Sequence, residues 1–146
     1  MRVFARAVGN LSALYAAMPA HGDLDFLVDG DRRLSYARFH ALAGAVAAGF
    51  VARYGVKPGD CVAIAAHNSP EWMVAFTALS ALGAIPALIN SRGSGEEMRH
   101  CIEDVGAGLV IADRRRAEAL VQAGYTGTVA VFEEAGLEAM ARDHAG

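Results

Sequence analysis

A chain of 146 residues with 54% hydrophobic and 20% charged side chains is long enough to bury one core and too apolar to stay disordered. A net charge of -3 argues against a nucleic-acid partner or an anionic membrane surface, and the basic run Arg114-Arg115-Arg116 reads as a solvated helix start. Residues 1–10 carry Arg2 and Arg6 but no apolar stretch of signal-peptide length, and no later segment reads as a transmembrane span, so the cytoplasm is the expected compartment.

Along the chain, Leu11, Leu14, Tyr15 and Met18 recur at helical spacing ahead of Pro19 and predict a short amphipathic helix over 10–18. Asp25 to Val28 and Arg32 to Leu34 flank Asp29-Gly30-Asp31, the pattern of a small β-hairpin. Ser35 is placed to cap a helix in which Phe39, Leu42, Val46 and Phe50 share one face, and Gly55 is the expected stop near Tyr54. After the turn Lys57-Pro58-Gly59-Asp60, the run Cys61 to Ala65 is apolar without alternation, which suits a strand covered on both faces. The unit then repeats. Ser69 caps, Pro70 opens a helix carrying Trp72, Met73, Phe76 and Leu79, Gly83 ends it, and Ile85 to Ile89 follows as a strand that Pro86 marks as bulged or edge-like. Ser94 and Glu97 form a capping box for a helix through Ile102, followed by a strand at 108–112, a helix at 116–122 and a strand at 128–132.

Strands alternating with helices predict an α/β fold: a mainly parallel sheet of βαβ units, preceded by the short helix and hairpin. Residues 1–34 form the amino-terminal helix and hairpin, and residues 35–146 the βαβ subdomain. The helix from Trp72 to Leu82 is apolar around most of its circumference, so a covering surface beyond this chain is expected.

Chemistry-bearing patterns are sparse. A GxxxxGK[ST] loop is absent and Lys57 is the sole lysine. Gly93-Ser94-Gly95 lies between a strand and a helix, with Asp113 at the end of the next strand as the acid a ribose would want. The dinucleotide fingerprint needs a third glycine where Met98 stands, which leaves an NAD-binding reading as the weaker alternative to a plainly capped helix. Arg92, Ser94 and Gly95 remain the candidates for an anion-holding loop. His21, His40, His67, His100 and His144 are scattered; only His100, with Glu97 or Asp104, has a carboxylate at helical spacing, so no metal site is expected. Cys61 and Cys101 lack CxxC spacing and read as small apolar side chains, and no GxSxG elbow is present. No catalytic residue is expected within the chain.

From Arg33 to Asp113 the sequence resembles the amino-terminal part of the class I adenylate-forming enzymes, above all the AMP-forming acyl-CoA synthetases. Leu34-Ser35-Tyr36-Ala37-Arg38-Phe39 is similar to that family's LTYxEL element, and residues 55–64, GVKPGDCVAI, to its GVxPGDrVAI strand entry. Asn68-Ser69-Pro70-Glu71-Trp72 is similar to its NSPEF/W helix start, and residues 79–90 to its LkAGAvxvplN element, with Leu82 where Ala is usual. Residues 90–98, NSRGSGEEM, match N-x-R-x-x-x-x-E-[LM].

The resemblance implies a larger fold of which this chain is the partial amino-terminal subdomain, the remaining subdomains of the same polypeptide being its partners. It implies a reaction joining a carboxylic acid, a fatty acid above all, to ATP with Mg²⁺, then passing the acyl group to coenzyme A. The family's Ser/Thr/Gly-rich phosphate loop, its Tyr-Gly-x-Thr-Glu segment and its catalytic carboxy-terminal Lys have no counterpart in residues 1–146, so the isolated chain is expected to be inactive. A reading of a different class makes the chain a non-catalytic interaction module that docks through the apolar helix.

Overall fold

The computed structural model describes residues 8–132; Arg2, Arg6 and His144 lie outside them. The first helix, α1 (Leu11–Ala16), is capped by Asn10, whose side chain accepts from the Ala13 N–H. It stops two residues short of the predicted end, because the chain tightens into a 3₁₀ turn, Met18–His21, with Pro19 in its first turn where no N–H is needed. Met18 is the buried anchor of that turn.

The hairpin pairs β1 (Asp25–Asp29) with β2 (Arg32–Ser35) antiparallel, Asp29 opposite Arg32, around Gly30 at φ +57°. That left-handed value is why glycine stands there. Ser35 then caps α2 (Tyr36–Tyr54) by accepting from the Arg38 N–H. Gly55, at φ +66°, closes α2 by returning its N–H to Val51 O, while Val56 N–H reaches Phe50 O.

Four parallel strands follow: β3 (Cys61–Ala65), β4 (Ile85–Leu88), β5 (Leu109–Asp113) and β6 (Val129–Phe132), in the order β4-β3-β5-β6 among the described residues. The helices between them are α3 (Pro70–Ala81), α4 (Gly95–Asp104) and α5 (Arg114–Gln122). The α/β class and parallel sheet are as predicted, with strand and helix ends moved by one or two residues. Residues alternate across the sheet. Val62, Ile64, Leu109 and Ile111 pack with α2 and α3 on one face, whereas Ala63, Ala65, Val110 and Ala112 pack with α4 and α5 on the other. A strand apolar at every position is thereby buried on both sides, which is why neither β3 nor β5 alternates in sequence.

Pro86 sits in β4 at an edge of the sheet, as its sequence suggested. Ile85 N–H and Ile89 N–H both reach β3, to Asp60 O and Ile64 O, so the intervening Pro86 falls on the outward side of the strand where no N–H is required.

The expectation that α3 needs cover from beyond the chain is corrected in large part. Packing against α1, α2, β3 and β4 buries Val74, Ala75, Thr77, Ala78, Leu79 and Ser80, and Ser12 Oγ donates to Ser80 O at 3.2 Å. Trp72 and Phe76 stay half-buried, their rings stacked at 5.5 Å between centroids, and Leu82 packs against the same cluster. Glu71, buried in the first turn of α3, is ion-paired to Arg32 of the hairpin. Thr77 Oγ1 is buried without a hydrogen-bond partner. Thr77→Val removes that unsatisfied hydroxyl with almost no change of shape, so it is expected to raise stability by about 1 kcal/mol, read as a higher urea midpoint at constant m-value.

Candidate functional site at the carboxyl edge of the sheet

From β3 the chain crosses to β4 on one side, with α3 on the first face; from β5 it crosses to β6 on the other side, with α5 on the second face. Neighbouring strands β3 and β5 therefore send their following loops apart. The two carboxyl ends form the switch point of the sheet, the kind of place where open α/β sheets hold ligands. Parallel register sets Ala65 beside Ala112, so the residues just beyond, His67 and Asp113, meet although 46 positions separate them.

Asp113 is the hub of this edge. Its Oδ2 accepts from the His67 backbone N–H at 2.9 Å and from the His67 ring Nδ1 at 3.0 Å, and it lies 3.3 Å from Arg116 Nη1. Its Oδ1 accepts from the Arg116 backbone N–H at 2.9 Å, which makes Asp113 the cap of α5. Arg116 Nε in turn donates to Ser91 O at 2.9 Å, in the loop after β4. One carboxylate thus ties together the loops that follow β3, β4 and β5. Burial pushes the Asp113 carboxyl up, but the hydrogen bonds from the His67 ring, the backbone N–H groups of His67 and Arg116, and the Arg116 charge outweigh it. The net effect holds Asp113 below the usual carboxylate range, so it is ionised near neutral pH.

Two sequence expectations are corrected here. The arginine run is not uniformly solvated: Arg114 and Arg115 are exposed, but the Arg116 side chain is only 16% exposed and works inside the network, because α5 begins at Arg114 rather than Arg116. Asp113 is not an open acid waiting for a ribose, since both of its oxygens are engaged by the protein itself. That removes the acidic half of the NAD-binding pattern.

The loop candidates lie beside this network. Arg92 is exposed, and its backbone N–H donates to Asn90 Oδ1 at 3.1 Å. Ser94 accepts from the Glu97 N–H while Glu97 Oε2 accepts from the Ser94 N–H at 2.7 Å, so the capping box fills the start of α4 with the protein's own carboxylate. Gly95 lies against α5, where a Cβ would fall 2.3 Å from Ala119 O. The arrangement brings Arg92 near the hub through Ser91 and uses Ser94 and Gly95 for capping and packing.

Sequence spacing overlooked the His67–Asp113 pair. The His100–Asp104 pair that helical spacing did suggest is an exposed surface contact at 3.4 Å. Among the described residues no group of three or more His, Cys, Asp or Glu is placed to hold a metal ion.

An open parallel sheet, wound in both directions from β3 and β5 and carrying a polar cluster at its carboxyl edge, defines the class as an open α/β domain with a switch point between β3 and β5. The chain belongs to the AMP-binding enzyme family, whose model matches residues 14–144. It is 36% identical over 104 residues to the medium/long-chain-fatty-acid–CoA ligase FadD6 of Mycobacterium tuberculosis, covering 71% of this chain and 17% of that protein. It is 32% identical over 98 residues to enterobactin synthase component E of Escherichia coli, covering 67% of this chain and 18% of that one. Among solved structures it superimposes on the N-terminal domain of FACL13 from Mycobacterium tuberculosis with a TM-score of 0.82 at 25% identity, covering 94% of this chain and 37% of that domain. The chain therefore spans less than a fifth of these curated relatives. Among the described residues no helix is long and apolar enough to cross a membrane.

Proposed function

We propose that this chain is the amino-terminal scaffold of an acyl-CoA ligase that activates a carboxylic acid, a fatty acid in the first instance, with ATP and Mg²⁺ and transfers it to coenzyme A in the cytoplasm. The observation that carries this reading is the 36% identity to a fatty-acid–CoA ligase, which takes in most of the ordered motifs. The scaffold's part is mechanical. It supplies a rigid parallel sheet and three cross-tied loops at its carboxyl edge, with Arg92 as the anion-holding side chain of the loop after β4, and the remaining subdomains supply the phosphate loop, the metal site and the catalytic lysine. No step of the reaction is assigned to the described residues.

Two arms test the reading. The isolated chain, given ATP, Mg²⁺ and fatty acids of several lengths, is expected to stay at background in ATP–pyrophosphate exchange. A chimaera in which residues 34–113 replace the corresponding segment of the mycobacterial fatty-acid–CoA ligase is expected to retain exchange. Turnover by the isolated chain would overturn its incompleteness, and a soluble, folded but dead chimaera would overturn its assignment as a ligase scaffold.

A further inference from the structure

We infer that two copies of this chain pair through β6, strand to strand and antiparallel, about a two-fold axis perpendicular to the sheet. The inference rests on the β6 edge and the groove beside it, and not on the ligase reading.

Three observations carry it. First, the edge is unguarded. Among the described strands β6 pairs only with β5, and the bond from Val110 N–H to Thr128 O turns the backbone groups of Val129 and Val131 away from the sheet. Val129–Phe132 is wholly apolar, without the proline or charge that ordinarily blunts an edge strand. Second, one face of that edge is open. Ala130 and Phe132 are buried in the core on the first face, but on the second face Val129 and Val131 line a groove of about 340 Å³ together with Ala117 and Val121 of α5. Val121 is 69% exposed and Val131 47%. Third, the groove fits its own image. Because α5 packs on both β5 and β6, strands about 4.8 Å apart put the two α5 axes roughly 10 Å apart across a β6–β6 seam, the spacing at which helices pack. An axis perpendicular to the sheet keeps both second faces on one side, so α5 of each copy closes the groove of the other. Parallel pairing would turn one copy over and leave both grooves open. With the axis at Ala130, Val129 stands opposite Val131 of the second copy, and each such pair exchanges both backbone hydrogen bonds. Arg114 and Glu118, which also line the groove, are of opposite sign, the balance required of a patch that meets itself. Such a contact closes at two copies.

The experiment sizes the full 146-residue chain by light scattering over a dilution series. The expected result is a discrete dimer, twice the 15.3 kDa chain, that dissociates on dilution. In the ¹⁵N-labelled dimer the amides of Val129 and Val131 should exchange with solvent more slowly than in the diluted monomer. Val131→Pro removes an outward donor at a position where β5 requires none, and Val121→Lys places a charge in the groove from an exposed helix position. Each should raise the dimer Kd by about tenfold or more with the circular dichroism unchanged; if Val131→Pro does not fold, Val121→Lys decides. A monomer at every concentration, a dimer indifferent to Val121→Lys, or a polydisperse ladder of larger species each overturns the inference. So does a chain that dimerises only after residues 133–146 are deleted, which would assign the groove to the chain's own carboxy-terminal residues.

Discussion

Asp113→Ala is expected to cost about 2–4 kcal/mol of folding stability at neutral pH, the range for removing one partner of a buried, charge-assisted network. The truncation leaves the Arg116 guanidinium, 16% exposed, without its counter-charge and strips two backbone N–H groups, those of His67 and Arg116, of their acceptor. Part of the loss falls on α5, which loses its cap. The pH dependence has a definite sign. Because the folded carboxyl lies below its unfolded value, the contribution of the ionised form is fully present above the unfolded carboxylate range. It disappears as pH falls through the lower, folded value. Urea midpoints taken from neutral pH downward should therefore show the gap between the native chain and Asp113→Asn closing in acid. A gap that is constant with pH would mean that the carboxylate charge contributes nothing to the network.

Gly95→Ala is expected to destabilise by about 2–3 kcal/mol, although alanine is the better helix former by about 1 kcal/mol. The opposition of signs makes it a sharp test. A Cβ at this position meets Ala119 O at 2.3 Å and the Ala119 carbonyl carbon at 2.9 Å, and both are backbone atoms of α5 that no rotamer change can move. The two helices must separate, loosening Met98, Ile102 and Leu120 over the face of Ala63 and Ala65. A midpoint unchanged or raised relative to the native chain would show that α5 yields freely. Gly44, on the exposed side of α2 with open space around its missing Cβ, is the matched control, where alanine should stabilise.

Most of the fold is legible in the sequence because its signals are local. Ser35, Ser69 and Ser94 each cap a helix within three residues of their own position, and the all-apolar runs of β3 and β5 announce burial on both faces. Boundaries slipped where two local signals compete. Asp113 is at once the last strand residue and the α5 cap, and Pro19 ends one helix type by entering another. The site was illegible for a different reason. Nothing in the vicinity of His67 identifies a partner 46 residues away; that pairing is a product of strand register, fixed by the packing of two sheet faces. The only sequence trace of it is a polar residue at the end of one apolar strand, Asp113, and another just past the end of its neighbour, His67. The cover of α3 was misjudged similarly, since the α1 segment that shields it lies 68 residues upstream at the Ser12–Ser80 contact.

Pro86 gives the sheet a polarity. On β4 the outward row of donors is interrupted at its centre, so a strand approaching from that side finds no continuous ladder to extend. On β6, Val110 N–H bonds to Thr128 O, which turns the backbone of Val129 and Val131 outward with no proline among them. Among the described strands the two borders therefore differ in kind: the β4 border lacks a donor at Pro86 by covalent chemistry, whereas the β6 border keeps the backbone N–H groups of Val129 and Val131 on its outward side.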